Sequence, residues 1–204
     1  MSTNQRLAWN FEFTPKASLP LADLVDKKDE QLKWEIRYFW PDNEPIILNT
    51  IDNSLLELAN YKQKHREDDY YLLPSQNYNI KKRRDRLLYK PLLKQTNHAV
   101  GYGPKIILER TQDHPTPPEL QEIMQQVEQE GIEVSVKKDA LIYKCPTKPK
   151  VKIELARLEV CQKIYFSVCI EGRSLRLVEM ISKHLLDEPI SCEYVTFLKN
   201  LLQL

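Results

Sequence analysis

The stretch KWEIRYFW, residues 33–40, decides the predicted fold because its side chains alternate between two kinds of surface. Successive side chains of a β-strand point to opposite faces of the sheet. As a strand, this stretch places its charged residues opposite its large apolar ones: Lys33, Glu35 and Arg37 against Trp34, Ile36, Tyr38 and Trp40. The apolar row predicts a buried core, and the charged row, which carries both signs, predicts a solvated surface.

Four other predicted strands repeat this separation of a charged face from an apolar face. They lie near residues 78–84, 132–138, 151–155 and 164–171. For any single strand, an open sheet with one solvated face explains the pattern. Its repetition, with lysine, arginine and glutamate recurring, favours a water-filled lumen. We therefore predict an α+β fold, an antiparallel closed β-barrel (tunnel) of about eight strands with packing helices outside.

The remaining elements are predicted from periodicity and capping residues. Asp139 is predicted to form a hairpin turn between strands at 132–138 and 140–145. Residues 1–30 are predicted as an N-terminal extension of uncertain structure, with a strand near residues 7–13. Residues 31–204 are predicted to form the tunnel domain with its C-terminal helices. Helices are predicted to begin at Ser54, Thr116, Ser174 and Ser191.

Composition limits the classes of function. Thirty basic residues against 29 acidic ones give a net charge of +1, so the protein as a whole does not attract nucleic acid or acidic membranes. No apolar run approaches the roughly 20 residues that span a bilayer. The cysteines and histidines are scattered without metal-ligand spacing, which indicates free thiols and argues against a zinc site. We expect a cytoplasmic protein with neither a membrane nor a nucleic acid as partner, and we predict no oligomeric state.

Short charged motifs follow one another in a defined order between residues 31 and 186. They are Lys33–Arg37 (KWEIR), Asp68–Tyr71 (DDYY), Lys81–Arg83 (KKR), Leu88–Lys90 (LYK), Ile107–Glu109 (ILE), Lys137–Asp139 (KKD), Lys152–Glu154 (KIE) and Cys169–Glu171 (CIE). In order and spacing this series resembles the CYTH superfamily, the triphosphate tunnel metalloenzymes, which include inorganic triphosphatases, thiamine-triphosphatases and class IV adenylyl cyclases. The resemblance implies the tunnel fold, a phosphorylated small-molecule ligand such as a triphosphate or nucleotide, and a divalent metal, Mg²⁺ or Mn²⁺.

The resemblance also implies roles for individual residues. Arginine binds phosphate through a bidentate fork and lysine binds it as a point charge, whereas hard divalent cations prefer carboxylate oxygens. No catalytic residue is assigned. The predicted phosphate contacts are Arg37, Lys81, Arg83, Lys90 and Lys137. The predicted metal ligands are Glu35, Glu154 and Glu171, with Glu109 in reserve.

Three residues depart from the family pattern. Lys33 stands where the first strand of the family has a glutamate, and Cys169 stands where the last motif has one. Asp139 stands where the family has an arginine, which inverts a charge expected to face phosphate. If the ammonium group of Lys33 lies in the metal position, it replaces the metal by a permanent charge of the protein.

Three functions are consistent with these observations. The first is a tunnel that binds a triphosphate or another phosphorylated anion and hydrolyses it with a divalent metal, as a phosphoric anhydride hydrolase. The second is a degenerate, non-catalytic module on the same fold, which binds a ligand or a protein. The third is an activity like that of the class IV adenylyl cyclases.

Overall fold

The computed structural model describes residues 4–109, 116–186 and 191–204. The helices are α1 (Pro118–Glu130), α2 (Leu175–Leu185) and α3 (Tyr194–Leu202). The strands are β1 (Gln5–Ala8), β2 (Phe11–Pro15), β3 (Lys33–Pro41), β4 (Ile46–Thr50), β5 (Lys62–Leu72), β6 (Asn79–Arg83), β7 (Arg86–Lys90), β8 (Leu92–Gln95), β9 (Val100–Tyr102), β10 (Ile106–Ile107), β11 (Ile132–Lys144), β12 (Lys152–Val160) and β13 (Lys163–Gly172).

Ten of these strands form one antiparallel sheet, in the order β10-β7-β6-β5-β11-β12-β13-β3-β9-β8. The sheet is open, with β10 and β8 at its edges, so the predicted closed barrel is wrong in its closure and its strand count. Only Pro91 separates β7, beside one edge, from β8 at the other. The sheet must therefore curl until its two ends approach each other, which produces a concave and a convex face.

The convex face carries the larger apolar core. Trp34, Ile36 and Tyr38 of β3 point to this face and pack with Val178 and Ile181 of α2. The amphipathic pattern of α2 places these side chains on one stripe of the helix. The Ser174 hydroxyl accepts a hydrogen bond from the Leu177 backbone N–H and caps the helix, as the sequence predicts.

The N-terminal residues contribute to the same core. The predicted strand at 7–13 is a hairpin of β1 and β2, and β2 pairs in parallel with β4 to complete a three-stranded sheet. Phe11 and Phe13 are buried in the cluster that contains Ile36 and Val178. Residues 5–15 therefore pack directly onto the part of the chain assigned to the tunnel domain.

The helix predicted at Ser54 does not form. Two short 3-10 turns, Asn53–Leu56 and Leu58–Asn60, stand in its place, and β5 begins at Lys62. The Asp52 side chain caps the first turn by accepting from the Ser54 backbone N–H. The β5 backbone then pairs with β11 over 11 residues. This pairing outweighs the local capping signals, which by themselves favour a helix in this segment.

Helix α3 lies on the concave face, so the prediction that all helices pack outside is wrong for this one. Phe39 shares a face of β3 with Glu35 and Arg37, and its ring stacks on Phe197 of α3 with centroids 3.8 Å apart. Tyr194 of α3 stacks on Tyr70 of β5 at 4.9 Å. By contrast, α1 packs through Ile123, Met124 and Val127 on the outer side of β6.

The predicted hairpin turn at Asp139 is also wrong. Strand β11 runs unbroken through this residue and pairs with β5 along one edge and with β12 along the other. Because hydrogen bonds along both edges keep the backbone extended, the chain does not turn at Asp139. The Asp139 side chain lies on the outer face beside His65. Among the described residues, no helix is long and apolar enough to cross a membrane.

Candidate functional site

A cavity of about 380 Å³ opens on the concave face, and one side of it is bounded by Tyr194 of α3. Its lining carries ten basic residues against three acidic ones, an excess of seven positive charges in a chain whose net charge is only +1. The acidic residues are Glu35, Glu154 and Glu171. The basic residues are Lys33, Arg37, Lys64, Arg66, Lys81, Lys90, Lys105, Lys138, Lys152 and Arg173.

Six of the nine predicted site residues line this cavity together. They come from five strands, because each lies at an inward position of its own strand's alternation. They are Glu35, Arg37, Lys81, Lys90, Glu154 and Glu171. Arg83 lies next to them: its Nε and Nη2 atoms each lie 2.5 Å from a carboxylate oxygen of Asp68, which also accepts from Lys81.

Lys137 does not lie in the cavity. Its side chain is exposed on the outer face, where its ammonium group is 3.9 Å from Glu159. The sequence pattern correctly places Lys137 on the face of the strand opposite Val134 and Val136. Because these valines point to the concave face, Lys137 points to the outer face. Lys138 follows their phase and lines the cavity instead. The signal that could have found it is the series Val134, Val136, Lys138 at a spacing of two residues.

Glu109 and Asp139 also lie outside the cavity lining. Glu109 follows β10 and is exposed, and its backbone carbonyl accepts a hydrogen bond from the Thr116 hydroxyl at 3.3 Å. Asp139 pairs on the outer face with His65, so its acidic charge does not face the cavity. The departure from the family pattern at this position therefore leaves the charge of the cavity unchanged.

Arg37 organises the inner end of the cavity. Its Nε donates to Glu35 at 3.0 Å, and its Nη1 donates to Glu154 at 3.4 Å and to Ser167 at 3.3 Å. The guanidinium also lies over the Tyr194 ring, 5.1 Å from its centroid. Because these contacts already occupy much of its hydrogen-bonding capacity, Arg37 is better placed to orient its neighbours than to bind a ligand alone.

The buried carboxylates remain ionised because cations surround them. Burial by itself would raise the pKa of Glu35, but the charges of Lys90 and Arg37 hold it well below its usual value. For Glu154, Lys138 and Arg37 overcome the same effect of burial, and the Lys138 ammonium donates to it at 2.9 Å. Each acidic residue of the cavity is thus neutralised by the protein itself.

Several cations of the cavity have no carboxylate in direct contact. Among the described residues, no carboxylate lies within 4 Å of Lys64, Arg66 or Lys105. Partial burial, followed by the neighbouring charges of Lys81 and Arg83, lowers the pKa of Lys105 to about 8. Burial likewise lowers the pKa of Lys81 to about 8, despite the opposing charge of Asp68. Sequence reasoning missed Lys64 and Arg66 because the helix predicted to begin at Ser54 is expected to extend to about residue 65.

Glu35 and Glu171 form the part of the cavity most similar to the predicted metal site. They lie directly opposite each other on β3 and β13, and together with the Cys169 thiol their ligand atoms fall within 4.8 Å of one another. The Lys33 ammonium lies 2.5 Å from Glu171, and the Lys90 ammonium lies 2.9 Å from Glu35. Lys33 therefore does place its charge beside a predicted metal ligand.

These residues do not fit Mg²⁺ or Mn²⁺. Hard cations bind through carboxylate oxygens that are free to coordinate them, and this cluster offers two carboxylates beside a thiol. Burial raises the pKa of the Cys169 thiol well above its usual value, so it stays protonated. Both carboxylates are already paired with lysines. A requirement for Mg²⁺ or Mn²⁺ stays a prediction that this geometry does not support.

Comparison with known proteins adds little to this description. No protein-family model matches the chain, and no curated protein matches it. A solved structure from Bacillus halodurans, provisionally described as an adenylate cyclase, aligns with 73% of this chain and 86% of its own, with a TM-score of 0.41 and 7% sequence identity. A similarity of this degree assigns neither a family nor an activity to the chain.

Proposed function

We propose that the cavity binds a small anion with several phosphoryl groups, such as a triphosphate or a nucleotide. The observation that supports this proposal is the excess of seven positive charges in a lining of thirteen charged residues. The pKa of Lys105 is lowered first by burial and then by repulsion between the cations crowded into this partly buried space. An anion of high charge density would relieve the repulsion and form charge-assisted hydrogen bonds.

The cations that lack a direct carboxylate contact indicate where the phosphoryl groups would bind. Lys64 and Arg66 project from β5 and Lys105 projects from the loop before β10, and all three line the cavity with no carboxylate of the described residues in direct contact. Arg66 offers the bidentate geometry that suits phosphate. In this proposal Arg66, Lys64 and Lys105 contact the ligand directly, whereas Arg37 orients Glu35 and Glu154.

Metal-dependent hydrolysis is a second candidate function. It is favoured by one observation, the two facing carboxylates of Glu35 and Glu171. The lysines paired with both carboxylates favour the non-catalytic alternative that the sequence also allows. A cyclase activity would need the same two carboxylates free to bind a metal ion. Membership of the CYTH superfamily belongs to this proposal and rests on the motif resemblance alone.

Calorimetric titration with tripolyphosphate and with ATP, in buffer containing a chelator, tests the main proposal. We expect binding by the wild type, and a ten- to hundredfold weaker affinity for Arg66→Gln, because a hydrogen bond to a charged group contributes about 1.5–3 kcal/mol. Arg157→Gln is the matched control, since Arg157 lies on the outer face of β12, 3.8 Å from Asp139. It should bind as the wild type does.

The same samples, supplied with Mg²⁺ or Mn²⁺, test the second candidate through release of phosphate. Binding without release supports the non-catalytic alternative, whereas metal-dependent release supports a triphosphatase. No binding of either anion by the wild type would refute the proposed function. Equal affinities of Arg66→Gln and Arg157→Gln would place the binding site elsewhere.

A further inference from the structure

The Glu35–Glu171 pair needs a cation, because two carboxylates directly opposite each other on neighbouring strands repel. The β3–β13 register makes these two residues Cα partners, so the repulsion is built into the sheet. Glu35 is only 7% exposed, and solvent therefore screens the repulsion poorly. A divalent metal ion is one solution to this problem, and the ammonium groups of lysines are another.

The chain provides lysines on both sides of the pair. Lys90 comes from β7, across the cavity, and its ammonium contacts Glu35 while lying over the Tyr102 ring, 3.6 Å from the centroid. Lys33 comes from β3 itself, two positions before Glu35, and contacts Glu171. Lys152 adds a third ammonium group, 3.4 Å from Glu171. Each carboxylate is thus held by at least one lysine, and Glu35 also accepts from Arg37 at 3.0 Å.

Lys33 is the residue whose charge would most directly repel a metal ion bound between Glu35 and Glu171. Glu171 is its one carboxylate partner among the described residues, and its side chain is 37% exposed. Lys90, by contrast, is enclosed between Glu35 and an aromatic ring. Replacement of Lys33 by a neutral residue therefore leaves the sheet and the Lys90–Glu35 contact in place, while it frees one carboxylate oxygen at the edge of the cavity.

We infer that Lys33 is a built-in counter-ion, which takes the place of a divalent metal and makes anion binding by this cavity independent of one. This inference rests on the proposed function for its second part, the anion. Its first part concerns the protein alone: a divalent cation is repelled while Lys33 is present, and it binds between Glu35 and Glu171 once the ammonium group is removed. Bound Mn²⁺ would keep several water ligands, because two carboxylates do not complete its coordination.

The first experiment uses Mn²⁺ alone, measured by electron paramagnetic resonance titration of the full chain without any anion. We expect at least tenfold tighter Mn²⁺ binding by Lys33→Gln than by the wild type. The double variant Lys33→Gln with Glu171→Gln should lose that gain. Lys28→Gln is the control, since Lys28 pairs with Glu30 on the surface, and it should behave as the wild type does.

The second experiment measures tripolyphosphate affinity with chelator and with Mn²⁺, at matched concentrations of free anion because Mn²⁺ itself binds tripolyphosphate. The wild-type affinity should change less than threefold between the two conditions. Lys33→Gln should bind more weakly than the wild type in chelator and recover at least tenfold when Mn²⁺ is added. Lys33→Met repeats both experiments with a side chain of similar length and no hydrogen-bonding group.

Two results would overturn the inference. One is tight binding of Mn²⁺ to the wild type that Glu171→Gln abolishes. The other is the absence of a gain in Mn²⁺ binding in folded Lys33→Gln and Lys33→Met, with folding checked by circular dichroism. A wild type that binds no tripolyphosphate in either condition refutes the proposed function instead, and the Mn²⁺ titration still decides the role of Lys33.

Discussion

The concave face has two halves that share the same strands but differ in what covers them. In the charged half, Glu35 and Arg37 of β3 and Glu154 of β12 line the cavity. In the apolar half, Phe39 of β3 and Leu158 of β12 pack under α3. Alternation along a strand thus predicts which side chains share a face. It does not predict whether that face lines a solvated cavity or packs against a helix.

The two halves contribute differently to the energy of the fold. Burial of apolar side chains under α3 stabilises the protein in proportion to the area removed from water. The charged half gains little, because the desolvation of ions offsets most of their attraction. We therefore expect substitutions in the apolar half to lower stability and substitutions of unpaired cations in the charged half to lower affinity.

Phe197→Ala should have the largest effect on stability. The Phe197 ring stacks on Phe39 and meets the Tyr165 ring edge-to-face at 5.3 Å, so its loss leaves a cavity between α3 and the sheet. Truncation of a buried phenylalanine costs about 3–5 kcal/mol. Urea denaturation of the wild type and the variant measures this difference in the free energy of unfolding.

Leu204→Ala is the control for Phe197→Ala, because the Leu204 side chain follows α3 and is 48% exposed. It should change the free energy of unfolding by less than about 0.5 kcal/mol. A loss below about 1 kcal/mol for Phe197→Ala would contradict the packing of α3 on the concave face and would return the helix to the outside position that the sequence suggests.

The parts of the molecule that sequence could predict are those where a local pattern and the tertiary environment agree. The faces of β3, β12 and β13 follow from strict alternation, and α2 follows from its Ser174 cap and apolar spacing. Helix α3 follows from apolar spacing, although it begins at Tyr194 with Glu193 as its cap and not at Ser191. These patterns predict that Glu35, Arg37 and Glu154 lie on the charged faces of their strands without any knowledge of how the strands pair. Most of the predicted site therefore lies together, as expected for inward positions of a curled sheet.

The remaining features depend on long-range pairing that no local pattern reports. The side of the sheet that Lys137 faces is decided by the apolar surface that Val134 and Val136 meet, and that surface is created by α3, about 60 residues later. Lys64 and Arg66 are inward because β5 pairs with β11. Glu109 lies outside the cavity because β10 ends before it. For Lys137, Lys64 and Arg66 the partner is distant in sequence.

Lys138→Met tests which of two adjacent lysines belongs to the charged half. It removes an ammonium group that holds the buried Glu154 carboxylate at 2.9 Å, and Arg37 then remains as the main counter-charge. A buried carboxylate that loses one of its partners destabilises the fold, here by about 3 kcal/mol. Urea denaturation at neutral pH measures the loss.

Lys137→Met is the matched comparison, because Lys137 is exposed and its contact with Glu159 is a surface ion pair. Such pairs contribute between about 0 and 1 kcal/mol. Equal losses for Lys138→Met and Lys137→Met, or a larger loss for Lys137→Met, would mean that the register of β11 is shifted by one residue and that every facing in this strand is reversed.

Asp68→Asn has the smallest expected effect on the free energy of unfolding. It tests whether the stability that the charged half provides depends on pH. Burial would raise the pKa of Asp68, but hydrogen bonds from Arg83 and the charge of Lys81 lower it to about 2, against 3.8 for an ordinary aspartate. In the unfolded chain the carboxyl takes up its proton near pH 3.8. The stability that the ionised carboxylate provides is therefore complete above pH 3.8 and disappears as pH falls toward 2, a loss of about 2 kcal/mol.

The measurement is the difference in unfolding free energy between the wild type and Asp68→Asn, obtained by urea denaturation from pH 6 to pH 2. Other carboxylates titrate in both proteins and cancel, so the difference should shrink by about 2 kcal/mol over this range. Asp85→Asn, at an exposed turn, is the control for the substitution and should change the free energy of unfolding by less than about 0.5 kcal/mol at pH 6, because its side chain is 98% exposed. A difference for Asp68→Asn that does not change with pH would mean that Asp68 is not held ionised by Arg83 and Lys81, and that the charged half depends on pH no more than the apolar half beneath α3 does.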